Sequence, residues 1–358
     1  MLDKPLQDIK VIELASVLAG PAVGMFLAEL GAEVIKIENP ATGGDVTRSW
    51  KLPTESIDSP ISAYFCSVNW GKQHLFLDLK SPEGKQQVYE LAKSADILVA
   101  NYKPGDAHKL GMDYDTFKAI NPKLIYAELT GYGNKDPRAA FDVVLQAEVG
   151  YMSMNGTPDS GPVKMPFAMI DLLAAHQLKQ GILLALWQRE KTGNGCHVST
   201  TLYDSGLAML SNMATNWLMA GQVAHRIGNA HYNICPYGDI LNCANGYQIV
   251  LAVGNNQQFA HLCELLGDAN LAADERFATN PARVTNRPQL ILLLNELSAK
   301  LNGEHLLQQL QAAKVPAGAI QNMQQVFSTP AAQAMILEEN IDGIPTKRVK
   351  TVGFNLVE

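Results

Sequence analysis

Short apolar runs separated by helical segments recur through the first two hundred residues, and this alternation limits the fold more than any other feature. Residues 9–14, 34–38, 96–100, 124–129 and 196–202 read as strands. The third and fourth are apolar enough to run down the middle of a parallel sheet, buried on both faces. Helices are predicted between them. Gly20-Pro21 opens one that ends at Gly31, with proline near its start and glycine past its end. Ser81-Pro82-Glu83 starts another, running to about 94, and a long one covers about 170–190 before Lys191-Thr192-Gly193-Asn194-Gly195. A further helix is expected from about 204 to 219. Strands spaced by helices imply an α/β fold with a doubly wound, Rossmann-like parallel sheet, whose ligand lies beyond the carboxyl ends of the strands.

After Gly221 the texture changes. Residues 237–253 read as a hairpin turning at Asn245-Gly246, a dipeptide that accepts the positive φ angles of a tight turn. Helices at 257–266, 287–301 and 304–314 and a short strand at 316–320 complete a second, smaller α+β domain. There is no internal repeat and no low-complexity tract.

A net charge of −7 offers no basic surface for a nucleic acid. Residues 1–5 carry no signal-peptide-like apolar core, and no apolar run reaches membrane-spanning length. Five scattered cysteines, with no CxxC pair, HExxH or clustered His and Cys set, suggest neither a disulfide framework nor a metal. A reducing cytoplasm is the expected location.

Asp171 is the only charged residue between Lys164 and Lys179. A carboxylate among apolar side chains costs several kcal/mol unless donors or a partner satisfy it, so it is there for capping or for chemistry. The plain reading is an N-cap for the helix that begins about there. The first strand leads into Ala15-Ser16-Val17-Leu18-Ala19-Gly20, which is not G-x-G-x-x-G, and no G-x-x-x-x-G-K-[ST] occurs. A helix start after a strand still presents free N–H groups for a phosphate or carboxylate, although the glycines equally allow close packing on the sheet. Lys36, Arg48, Lys72, Lys103 and Lys109 bring positive charge near the predicted strand ends, where each alone reads as a solvated side chain. Asn101-Tyr102-Lys103-Pro104-Gly105 follows a central strand, and Tyr102 is either a stacking platform for a base or a rim aromatic.

Taken together these pieces resemble the class III coenzyme A transferases of the formyl-CoA and carnitine type, a family that also contains α-methylacyl-CoA racemases. The resemblance runs nearly end to end. It is carried by Leu18-Ala19-Gly20-Pro21, Leu30-Gly31-Ala32-Glu33-Val34-Ile35-Lys36, Gly44-Asp45-Val46-Thr47-Arg48, Asn69-Trp70-Gly71-Lys72, Asn101-Tyr102-Lys103-Pro104-Gly105, Gly131-Tyr132-Gly133, Phe141-Asp142, Asp171 with its helix, and Arg226-Ile227-Gly228-Asn229. It implies a large CoA-binding α/β domain of residues 1–205 plus 335–358, a small α+β domain of 226–325, and linkers at 206–225 and 326–334. It also implies an interlocked homodimer in which each ring-like chain threads the other.

The resemblance assigns Asp171 as a nucleophile that forms a mixed anhydride and then an aspartyl–CoA thioester, and it places Asp142 near it. Asp142 is equally read as a structural acceptor at a helix start. Ser16, Val17, Leu18 and Ala19 match the loop lining the thiol end of CoA. Asn39, Arg48, Lys72, Asn101, Tyr102 and Lys109 match CoA-lining positions, and Gly254 matches a small-domain loop that covers the site. The formyl-CoA branch has His and Gln where Ser16 and Leu18 stand, and Arg where Asn39 stands, so Arg48 is the alternative adenosine-phosphate contact. Together with Met152, Met154, Met165 and Met169, these changes suggest a less polar acyl group than formyl or oxalyl.

The racemase branch carries a histidine before the aspartate at the Asp142 position; here it is Phe141, which moves no proton. His176 follows Asp171 by five residues and points to another helix face. CoA transfer between carboxylic acids is therefore the expected activity, with acyl-CoA and a small carboxylic acid as partners and no metal or tightly bound cofactor. The racemase alternative keeps one argument, an end soon after Val352-Gly353-Phe354. A nicotinamide dehydrogenase lacks its glycine fingerprint, and a non-catalytic CoA-binding protein remains the alternative if Asp171 only caps.

Overall fold

In the computed structural model, which describes residues 4–357, the first part of the chain builds six parallel strands. They are β1 (Lys10–Leu14), β2 (Glu33–Glu38), β3 (Lys72–Phe76), β4 (Ile97–Ala100), β5 (Ile125–Thr130) and β6 (His197–Thr201), in the spatial order β3-β2-β1-β4-β5-β6. β1 pairs with β2 on one side and β4 on the other, so the winding reverses between β1 and β4. At such a reversal two connecting loops diverge and leave a crevice, here beyond Leu14 and Ala100.

Side-chain alternation along β1 explains the two layers. Val11 faces a core shared with the Ala19–Glu29 and Met169–Thr192 helices, while Ile12 and Leu14 face a second core with Val88, Ala92 and Phe117. β4 is buried along its whole length, as its apolar run predicts. The predicted strands, the 81–94 helix and the 170–190 helix are all present, within two residues of their expected ends.

Close packing accounts for the glycines of the first helix. A Cβ at Gly20 would sit 2.4 Å from the Ala15 Cβ, and one at Gly24 would sit 1.9 Å from Glu13 Oε2. Only glycine lets the helix lie this near the strand.

Three elements differ from expectation. β3 reads Lys-Gln-His-Leu-Phe, too polar for an apolar run, because it is an edge strand with one neighbour. The helix expected at 204–219 is two, Leu202–Ala208 and Asn212–Ala220, broken at Ser211 (φ 52°, ψ −129°). Nothing in Asn212–Ala220 is buried, so no core holds the two pieces in one register. Residues 336–349 form an antiparallel hairpin, Ile336–Ile341 with Ile344–Val349, turning at Asp342-Gly343 with φ of 50° and 81°.

That hairpin is tied to three separate segments. Glu339 accepts the Gly71 N–H, Asp342 pairs with Arg48 at 2.7 Å, and Arg348 pairs with Glu29, which also accepts the Thr351 and Val352 N–H groups.

By internal contacts the chain divides into two compact units. The first comprises residues 1–151, 164–223 and 334–358; the second comprises 152–163 and 224–333. In the second, β7 (Tyr237–Asn242), β8 (Gln248–Ala252) and β9 (Ala317–Ala319) form an antiparallel sheet, turning between β7 and β8 at Asn245-Gly246 as predicted. Helices Asn256–Leu265, Arg287–Ser298 and Gly303–Ala312 cover it around Phe259, Phe277 and Leu294. Among the described residues no helix is long and apolar enough to cross a membrane, and no cluster of metal-ligating side chains occurs.

Candidate active site

Helix geometry brings the carboxylates together. The Met169–Thr192 helix precedes β6 and runs back along the parallel sheet, so its N-terminus stands at the carboxyl edge. Asp171 is the third residue of that helix, half-buried, and not its cap: Ala168 takes the cap position and has no side-chain acceptor. The missing acceptor comes from another element. Asp142, first residue of the Asp142–Glu148 helix, accepts the Ile170 N–H at 2.6 Å and the Asp171 N–H at 3.3 Å through one oxygen. Its other oxygen takes Gln146 Nε2 at 2.6 Å.

Gln146, fully buried, also accepts the Met165 N–H at 2.8 Å and so fixes the chain leading into Asp171. Sequence reasoning missed Gln146. Its signal was a glutamine one helical turn after Asp142, positioned to brace it.

This arrangement leaves the Asp171 carboxylate short of partners. Burial, and then the charge of Asp142, push its carboxyl up to about 7. A carboxylate so desolvated is reactive near neutral pH, as a nucleophile or a base. Phe141, beside Asp142, is 59% exposed and carries no titratable group.

The second part of the site is the crevice between β1 and β4. Asn101 donates to Ser16 O at 2.8 Å and accepts the Ser16 N–H at 3.0 Å, stitching the two loops together. Val17 adopts φ 72°, a left-handed conformation that a β-branched residue takes only under constraint. Leu18 caps the first helix without a side-chain acceptor, and Ala19 is its first, buried residue.

Beside this loop a cavity of about 460 Å³ is lined by Ser16, Asn39, Arg48, Lys80, Tyr102 and the Gly43-Gly44 backbone. Five of the residues singled out from sequence, Lys36 among them, thus line one cavity. Burial pushes the Tyr102 hydroxyl well above its usual range, so it stays a neutral phenol.

Of the three cations matched to CoA-lining positions, Lys72 and Arg48 are buried in ion pairs and not solvated, while Lys109 stays on the surface. The Lys72 side chain is buried against Glu13 at 2.7 Å and also meets Pro21 O and Asn69. Burial lowers its ammonium to about 8 despite Glu13. Arg48 is bidentate with Glu38 at 2.6 and 2.7 Å and pairs with Asp342, its guanidinium 4.1 Å from the Phe65 ring centroid. Lys109 is exposed and paired with Asp106 within its own short helix.

Asn39 accepts the Ala41 N–H as cap of the Pro40–Thr42 turn. In the second unit, the Gly254 N–H donates to Gln258 Oε1. Glu13, Lys36, Glu38 and Asp45, all fully or almost fully buried, form the charged floor under the crevice. Lys36, a solvated charge by sequence alone, is 1% exposed. Its place among apolar strand residues, pointing to the same side as Glu38, was the available signal.

Fold and site together define an α/β protein with a desolvated carboxylate, beside a second one, at a helix start on the carboxyl edge of a doubly wound sheet. The CoA-transferase family III matches residues 6–356, and the chain belongs to that family; it is a class III CoA-transferase. It is 40% identical to the succinate–glutarate CoA-transferase of Agrobacterium fabrum over 94% of this chain and 85% of that protein. Identity to the human succinyl-CoA:glutarate CoA-transferase is 38%, over 91% and 74%. Among solved structures, a CAIB/BAIF family protein from Brucella suis superposes with a TM-score of 0.86 at 40% identity, covering 98% of this chain and 92% of that one. Rv3272 from M. tuberculosis follows at 0.84 and 32%, covering 99% and 93%.

Proposed function

We propose that the protein moves CoA between an acyl-CoA and a small dicarboxylic acid, with Asp171 as covalent carrier. One observation carries the reading: a carboxylate that accepts no hydrogen bond from the described residues, its pKa raised to about 7 by burial and by Asp142, at the start of a helix capped from outside. Attack of Asp171 on the thioester carbonyl forms an aspartyl anhydride and releases the CoA thiolate. The thiolate attacks the aspartyl carbonyl, giving an aspartyl–CoA thioester and the free donor acid. The acceptor carboxylate attacks that thioester, forming a second anhydride and thiolate, and the thiolate then takes the acyl group and frees Asp171. Two displacements in each half keep the thioester's energy from being lost to water.

Dicarboxylates are the favoured acids because the names of several relatives pair succinyl-CoA with glutarate or mesaconate, and acetyl-CoA with oxalate. The less polar acyl group suggested by Ser16 and Leu18 does not favour these acids, since succinyl and glutaryl each carry an ionised carboxylate, and the choice of dicarboxylates rests on the relatives' names. CoA is a substrate here, seated with its nucleotide end toward the Ser16–Tyr102 cavity and its thiol toward the Ser16–Leu18 turn.

A homodimer is part of the same reading. Within the first unit Leu183, Leu184, Trp187, Trp217, Leu218 and Met219 are exposed, the kind of side chain that a protein–protein contact covers.

The test is incubation of acyl-CoAs with free acids, succinyl-CoA with glutarate first, followed by mass spectrometry with Asp171→Ala in parallel. New CoA esters that vanish in the variant support the reading. Deuterium uptake at the α-carbon with no new ester would replace it with racemisation.

A further inference from the structure

The turn between β1 and the first helix is held on every polar backbone group from Ala15 O to Val17 N, in each case by a side chain distant in sequence. Ala15 O accepts from Lys36 Nζ at 2.7 Å. Asn101 takes both the N–H and the O of Ser16. The Val17 N–H points at the Asp45 carboxylate, 3.1 Å from one oxygen and 3.4 Å from the other.

Val17 is the residue that needs such a hold. At φ 72° its branched side chain is in the left-handed region, a strained conformation that persists only where the surroundings enforce it. Asp45 is itself immobilised. Its carboxylate is almost wholly buried, pairs with Lys36 at 3.0 Å, and accepts from Thr47 N and Oγ1 at 3.0 and 2.8 Å. Its N–H donates to Glu38 at 2.7 Å, and Glu38 is clamped by Arg48, which Asp342 grips from the C-terminal hairpin. A continuous chain of charge therefore runs from the hairpin turn to one amide.

We propose that Asp45 is a positioning residue for CoA transfer: by holding Val17 in its left-handed conformation it sets the Ser16–Leu18 turn against which the thioester is aligned with Asp171. The proposal rests on the reading that this turn meets the thiol end of CoA. Asp45 touches no substrate and forms no bond in the reaction.

Asp45→Asn replaces the charged acceptor and turns an amide toward Lys36 or Val17. Misplacing reacting groups by about 1 Å costs on the order of 100-fold in rate, so kcat should fall roughly 10- to 100-fold, with KM for the acyl-CoA changed much less. Asp45→Glu keeps the charge beside Lys36 but displaces it from the Val17 N–H, and should lower kcat in the same way if the asparagine variant does not fold. Val17→Gly added to either variant should restore most of the lost kcat, because glycine adopts the left-handed conformation unaided. A folded Asp45 variant with wild-type kcat overturns the proposal, as does failure of the glycine to rescue.

If wild-type protein transfers no CoA, or Asp171→Ala still does, the reading of Asp171 fails instead. Hydrogen exchange at the amides of residues 15–18 then decides the Asp45 role alone. Faster exchange in Asp45→Asn supports it, and unchanged exchange overturns it.

Discussion

Asp171 is held in a state that favours reaction over stability. Burial and the Asp142 charge both favour its protonated form, so its folded pKa lies above that of an unfolded aspartate. Such a group is neutral with respect to folding at low pH and destabilises as pH rises from the unfolded value toward about 7. Asp171→Asn should therefore abolish transfer while raising stability above pH 7 by roughly 1–2 kcal/mol, the full shift being reduced by partial exposure. Denaturant unfolding at pH 5 and pH 8 measures this, and a variant less stable than wild type at pH 8 would refute it. Asp142→Asn removes the like charge and keeps an oxygen for the two N–H groups. It should shift the rising limb of the kcat/KM–pH profile below wild type's, because Asp171 then ionises more readily. A profile that does not move would show that Asp142 leaves the nucleophile's charge unaffected.

At the scale of elements, the Met169–Thr192 helix borrows its cap from the Asp142–Glu148 helix, so the stability of the one helix start depends on the placement of the other. Residue identity pointed to the two aspartates, but not to this exchange. A cap read along the sequence looks for an acceptor next to the helix start, and the acceptor here lies 28 residues away. Ser211 sits in a backbone region that favours glycine and makes no side-chain cap bond. Ser211→Gly should accordingly stabilise by about 1 kcal/mol, read as a higher melting temperature. The C-terminal hairpin bears on the cavity wall through Asp342 and Arg48. Arg48→Ala would leave Glu38 buried without its bidentate partner, at a cost of about 3–5 kcal/mol, against a much smaller loss for Asp342→Ala, whose carboxylate is partly exposed. Equal effects in urea unfolding would contradict this ordering.

For the whole molecule, the exposed apolar residues Leu184, Trp187, Trp217 and Leu218 predict self-association. Sedimentation should give twice the chain mass, and Trp187→Glu should shift the protein toward monomer without changing the first unit's core. A wild-type monomer at micromolar concentration would refute the dimer.

The alternation of apolar runs and helices was by itself enough to fix the parallel sheet and its winding, because strands buried on both faces must be apolar throughout and helices must bridge them. The NG turn fixed the second unit's hairpin for an equally local reason. β3 escaped notice because an edge strand is free to be polar, and the C-terminal hairpin, although it carries an Asp-Gly turn, was passed over as a tail. Asp171 stood out because a lone charge in an apolar segment is legible from sequence. The fate of Lys72 and Arg48 was not legible: a cation reads the same whether it faces a phosphate or pairs with Glu13 or Glu38 inside the protein. Only the tertiary structure decided that: Lys72 on β3 reaches Glu13 on β1 across the intervening β2, and Arg48 meets Glu38 because the turn after β2 brings it back to that strand's end.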